Sequence, residues 1–173
     1  MEITAEHVNE IADYFCSLIF SVPPAEIPEI KELLPGLAQK FPIGLISDTG
    51  YITGKYIRQF LQQENLLQYF SSFMFSDEQP NSKPHQSVFA QTAKNLNISL
   101  SRLIHIGDLE RTDIAGARRA GCYSIKFNGT NKSDNQDKSQ AQFVISNYNE
   151  LPAILTRLIE EIHSPEELPG NGT

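Results

Sequence analysis

Paired cysteines of the CxxC type, a long apolar run, an excess of basic residues, a glycine-rich dinucleotide loop and an internal repeat are all missing from these 173 residues. Each absence removes a class of function. Cys16 and Cys122 stand far apart with no His/Cys cluster beside them. That argues against a zinc site and leaves two reduced, partly buried thiols as the expectation. A membrane-spanning helix calls for about 18 or more consecutive apolar residues, and no such run occurs. The net charge is −7 and the pI near 5.1, whereas a nucleic-acid binder presents a basic face. No nucleic acid and no membrane are therefore expected as partners. No GxGxxG follows a strand-like run, which disfavours a dinucleotide site. The opening MEITAEHVNE is acidic and polar, unlike a signal peptide, so a cytoplasmic protein is expected.

What is present is the composition of an ordinary globular domain. Hydrophobic residues make up 40% and charged residues 20%, enough for one substantial core. From Phe41 onward, strand-like and helix-like segments alternate. FPIGLI (41–46), SSFMFS (71–76), RLIHI (102–106), CYSIKF (122–127) and FVIS (143–146) read as short apolar strands. The stretch from Tyr51 to Leu67 places Ile57, Phe60, Leu61 and Leu67 at helical steps. HQSVFAQTAKNLNI reads as a helix with Pro84 near its first turn. TDIAGARRAG reads as a helix closed by Gly121, and NELPAILTRLIEEIH as a final helix with Asn149 at its cap.

Strands separated by helices imply parallel βαβ units, and near-continuous apolar strands imply that both sheet faces are covered. The fold class expected is α/β: a three-layer α/β/α Rossmann-like parallel sheet. Before Phe41 no strand is evident. In residues 6–20, Val8, Ile11, Ala12, Phe15, Leu18 and Ile19 share one helical face, the expected buried side. VPPAEIP breaks that helix, and Pro35 is expected to kink or split the one that follows. The segment 128–142 has almost no apolar residue and reads as a mobile loop; SPEELPGNGT reads as a frayed tail. The expected division is 1–40 helical, 41–165 core and 166–173 tail.

Three places carry chemistry. At the end of the first strand, Ser47, Asp48 and Thr49 precede Gly50. A hydroxyl among exposed amides suits a phosphoryl oxygen, though taken alone the stretch reads first as a helix cap. Lys83, ahead of Pro84 at a helix start, puts a point charge beside amide donors, which suits a phosphate; a solvated lysine is the alternative. Finally, GDLERTD (107–113) follows a strand directly. Hard carboxylates such as Asp108 and Asp113 at a tight turn suit Mg²⁺, which usually takes one or two protein carboxylates plus water and substrate phosphate; here too a helix cap would account for the residue type.

Taken together, GLISDTG, YFSSFMFSDE, SKPHQSVF and LIHIGDLERTDIAGARRAGC resemble motifs two, three and four of the haloacid dehalogenase superfamily of hydrolases, over roughly residues 28 to 127. The resemblance implies that fold, with residues 1–40 as the end of its helical cap. It also implies Mg²⁺-dependent hydrolysis of a small phosphorylated substrate through an aspartyl-phosphate. Carried over by position, Ser47 and Thr49 bind phosphoryl oxygens. Lys83 is the catalytic cation, neutralising nucleophile and phosphate. Asp108 binds the metal, and Asp113 supports it as a ligand or from behind. Asp48 stands where many relatives have Asn and is expected to orient the loop.

One part of that pattern is absent. The family's nucleophile lies in a DxDxT motif at the end of its first strand, and no DxDxT occurs in this sequence. Asp13 lies in a helical pattern without an acid at position 15. The expectation is a chain that opens inside the cap, an N-terminally truncated hydrolase, inactive or incomplete by itself. Phosphate-monoester hydrolysis needs acceleration of up to about 10²¹-fold, and loss of a nucleophile costs about 10⁶ in rate in a well-studied protease. The strands of motifs two and four would then have unpaired edges unless they pair directly. Such an edge is an expected route to a homodimer or to a complementing chain. The alternative reading is a non-catalytic binding module using the relic phosphate pocket or that edge.

Overall fold

The computed structural model describes residues 3–129 and 139–163. The middle of the expected 128–142 loop and the expected tail lie outside the described residues. Six α-helices and five strands run in the order α1 (Ala5–Ser21), α2 (Ile30–Ala38), β1 (Gly44–Ser47), α3 (Gly54–Gln63), β2 (Ser72–Phe75), α4 (Gln86–Asn95), β3 (Ile104–Gly107), α5 (Ala115–Ala120), β4 (Tyr123–Phe127), β5 (Phe143–Ile145) and α6 (Leu151–His163). Every strand pairing is parallel, as the alternation of strands and helices requires.

The strands form two sheets. β1 pairs with β2, and β3–β4–β5 form a second sheet. Among the described residues the strands of motifs two and four therefore do not pair with each other, and each keeps one edge without a strand. All four residues of β1 are half-buried, whereas β4 is buried at every position after Tyr123. Leu45 and Ile46 are thus as apolar as a central strand should be, yet only partly covered.

Helices cover both faces. On one side Val88, Phe89 and Ala93 of α4 and Ala117 of α5 pack with Met74, Leu96, Leu103 and Cys122, and Ile46 leans on this cluster. The cluster takes in β1 and β2 through Ile46 and Met74 and the residues just before β3 and β4, Leu103 and Cys122. Phe89 of α4 also touches His105 of β3, so α4 bridges the sheets. On the other side Leu151 and Leu158 of α6 pack against Ile125, Phe127 and Ile145, with Ile104, Ile106 and Leu37 at the margin. Both cysteines are free and buried, and burial pushes the Cys122 thiol up to about 11. Among the described residues no helix is long and apolar enough to cross a membrane.

Several local expectations change. α1 does not bury the face carrying Val8, Ile11 and Phe15, which are 54–57% exposed. Of that face only Ile19 is buried, and Cys16, outside it, is buried with it, with Phe20 against the Tyr56 ring at 6.1 Å. Residues 3–15 are all exposed and 16–20 are buried or half-buried, so the helix packs by its last turns; periodicity picks a face, not which part of a helix's length is covered. α2 runs through Pro35 unbroken; proline removes one hydrogen bond, and the rest of the turn persists. Asn147, not Asn149, caps the turn before α6, accepting from the Asn149 amide. Gly121 ends α5 at φ 79°, the left-handed closure that a glycine adopts without a Cβ penalty.

Phe89 joins core and site. It is fully buried, meets the His105 ring edge-on at 5.0 Å, and a Cβ on Gly116 would lie 2.7 Å from it. Phe89→Ala should cost about 3–5 kcal/mol in urea unfolding. A loss below 1 kcal/mol would mean the cavity closes and the layer is not rigid.

Candidate active site

The three sequence stations meet at the carboxyl ends of β1 and β3, where an open parallel sheet presents its loops. Ser47 ends β1. It does not cap α3, because the Gly54 amide at that helix start donates to Asp77. Among the described residues its hydroxyl has no partner. Asp48 accepts from the Lys83 amide at 3.2 Å, which ties the first loop to the second. Thr49 is buried, and its amide and hydroxyl both engage the Ser76 hydroxyl, at 2.9 and 3.0 Å. Thr49 thus holds the loop from within, and Ser47 is the hydroxyl left open at the surface.

Lys83 and Asp113 form the centre. The Lys83 ammonium donates to Asp113 Oδ1 at 2.6 Å, and the two side chains are 12% and 3% exposed. His105 donates from Nε2 to the same oxygen at 3.0 Å, since a carboxylate can only accept. Asp113 Oδ2 accepts from the Leu109 amide at 3.0 Å, while the Asp113 amide returns a bond to the Leu109 carbonyl at 2.9 Å. Burial by itself would raise the Asp113 carboxyl. The His105 hydrogen bond and the Lys83 charge outweigh it and hold that carboxyl well below the usual range.

Glycine at 107 is required by close approach. A Cβ there would sit 2.3 Å from Asp113 Cγ, so the carboxylate folds over the space where a side chain would be. The turn that follows, Glu110–Ile114, is wound wider than an α-helix, and it returns Asp113 to the sheet.

These contacts separate the two acids. Asp113 already accepts from Lys83, His105 and Leu109. Asp108, at the tip of the turn, is half-exposed and close enough to Tyr148 that its charge helps raise that phenol after burial does. No cluster of three or more His, Cys, Asp or Glu capable of holding a metal occurs among the described residues. The donor set fits a Mg²⁺ held by one carboxylate, with water and substrate filling the other positions.

His105 is the site residue that sequence reasoning passed over. Its signal was a polar residue between Ile104 and Ile106 in a buried strand, on the same face as Gly107.

Two substitutions test this centre. Asp113→Asn leaves a buried lysine without its counter-ion and should cost about 3–5 kcal/mol at pH 7. Because the folded carboxyl titrates below its unfolded value, that stabilisation is complete above about pH 5 and fades as pH falls below about 4. The wild-type advantage in thermal melts should narrow accordingly; an advantage that grows on acidification would contradict the assignment. Gly107→Ala should displace the carboxylate and mimic Asp113→Asn, as read by both melts.

The family model for haloacid dehalogenase-like hydrolases matches residues 7–127. The phosphoglycolate phosphatase of Escherichia coli K12 is 28% identical over 130 residues, 73% of this chain and 50% of its own length. The glyceraldehyde 3-phosphate phosphatase of Pyrococcus furiosus is 30% identical over 150 residues, 85% of this chain and 60% of its own. The chain thus spans about half the length of the curated relatives it matches. Among solved structures, one described as a predicted phosphoglycolate phosphatase from Haemophilus somnus 129pt superposes with a TM-score of 0.73 at 19% identity, covering 89% of this chain and 69% of that one. The matched span takes in Ser47, Lys83, Asp108 and Asp113 alike, and the chain belongs to the haloacid dehalogenase-like hydrolase family.

Proposed function

We propose that this chain carries the phosphate- and metal-binding part of a Mg²⁺-dependent phosphate-monoester hydrolase acting on a small phosphorylated substrate. The observation that carries the reading is the junction of Lys83 and Asp113 at the ends of two parallel strands, beside an open Ser47 hydroxyl. Ser47 would donate to a phosphoryl oxygen. Lys83, oriented by Asp48 through its amide and by Asp113 through its ammonium, would neutralise phosphate charge. Asp108 would hold the ion and Asp113 would fix the turn behind it. When bound, Mg²⁺ supplies charge stabilisation for the transferring phosphoryl group.

The nucleophile is the part not found. Neither Lys83, Ser47 nor Asp108 stands in a DxDxT sequence, and none occurs among the 173 residues. We place the missing carboxylate on a further parallel strand between β1 and β3, both of which keep an edge without a strand. That strand would also cover the half-buried Leu45 and Ile46. In this reading residues 1–40 belong to the cap, and the chain without the strand binds its ligands weakly and turns over poorly.

The test is phosphate release from a generic monoester with Mg²⁺, using the chain alone and with a polypeptide supplying an apolar strand ending in DxDxT. Negligible turnover alone, gain with the strand and loss in Asp108→Ala are expected. Turnover by the isolated chain that survives Asp108→Ala would sink the proposal. The two open edges also favour a second reading, a non-catalytic module that takes a partner strand or dimerises. Light scattering after size exclusion should then report a dimer or complex, whereas a monomer that binds neither Mg²⁺ nor phosphate counts against it.

A further inference from the structure

Lys126 is the one charged residue of β4, and it is completely buried. A buried ammonium is tolerated only with a partner. One partner is Glu110, whose Oε2 lies 3.4 Å from Nζ. Glu110 sits on neither adjoining strand but in the turn between Asp108 and Asp113. Lys126 is in register with Gly107 across the β3–β4 ladder, so it stands on the sheet face over which that turn folds.

Glu110 has further contacts. Its Oε2 accepts from the Ser139 hydroxyl at 2.9 Å and its Oε1 from the Gln140 amide at 2.7 Å. The turn is therefore held at two ends: Asp113 by Lys83 and His105, Glu110 by Lys126 and by the chain entering β5.

We propose that Lys126 is a positioning residue for the metal-binding turn. Acting through Glu110, it sets where Asp108 is presented and couples that placement to Ser139–Gln140. This deepens the proposed function and rests on Asp108 as the Mg²⁺ ligand. A plain charge effect makes the opposite prediction. Removing a positive charge near the site should tighten Mg²⁺ binding by Coulomb's law, whereas loss of positioning should weaken it, by about 10- to 100-fold as for other residues behind a metal ligand.

The experiment titrates Mg²⁺ into the full chain by calorimetry, for wild type, Lys126→Met and the double variant Lys126→Met/Glu110→Ala. The double variant removes both members of this pair and leaves net charge unchanged, so it carries the test if the single variant does not fold. Amide exchange at Leu109 and Gln140 is followed by NMR in parallel. Weaker Mg²⁺ binding in both variants, with both amides exchanging faster together, is the expected result. Unchanged or tighter Mg²⁺ binding in Lys126→Met overturns the proposal, and so does faster exchange at Gln140 with Leu109 unaffected. If wild type takes no Mg²⁺, the assignment of Asp108 fails; the amide arm then decides by itself whether Lys126 and Glu110 govern the turn.

Discussion

The Asp113 carboxylate accepts hydrogen bonds from three parts of the chain: Lys83 ahead of α4, His105 on β3 and Leu109 in the turn after β3. Lys83 and His105 both donate to one oxygen and the Leu109 amide to the other. The cost of burying the acid is offset because every donor is itself fixed: Lys83 by Asp48, His105 by Phe89 and Leu109 by the returning Asp113 amide. Gly107 makes the approach sterically allowed. Removing Asp113 strands the largely buried Lys83 ammonium without its counter-ion, which is more costly than never having built the pair.

The same junction explains how two separate sheets behave as one scaffold. β1–β2 and β3–β4–β5 share no ladder among the described residues. They are joined by α4 and its cluster with Met74 and Leu103, and by the Asp48–Lys83–Asp113 chain of contacts at the carboxyl ends. The side-chain bridge does at the site what a hydrogen-bonded strand would do along the whole edge. The half-burial of β1 is the counterpart of that gap.

Most of the architecture was legible because apolar runs and turn residues report it locally. Five strand runs and the helices between them fell within a few residues of their observed bounds, and Gly121 and Ser47 stood where expected. Other features were not legible, for physical reasons. α1 is covered only along its last turns, where α3 meets it, and periodicity does not encode which part of a helix finds a neighbour. Thr49 reads as a phosphate-loop hydroxyl until Ser76, 27 residues later, is seen to engage it. His105 and Lys126 look like isolated polar residues in apolar strands; their roles arise from the register that sets both beside Gly107.

Sequence alone determined the order of the stations, the parallel α/β class, the family resemblance and the absence of DxDxT, because each is a matter of residue type and spacing along the chain. Tertiary structure alone decided that the Asp113 carboxylate is engaged by Lys83, His105 and Leu109, that the hydroxyl tied to Ser76 is that of Thr49 and not of Ser47, and that among the described residues the strands of motifs two and four stay apart. Those outcomes depend on which donor reaches which oxygen across tens of residues, and contacts of that range follow from how the helices pack the sheets together rather than from any local pattern.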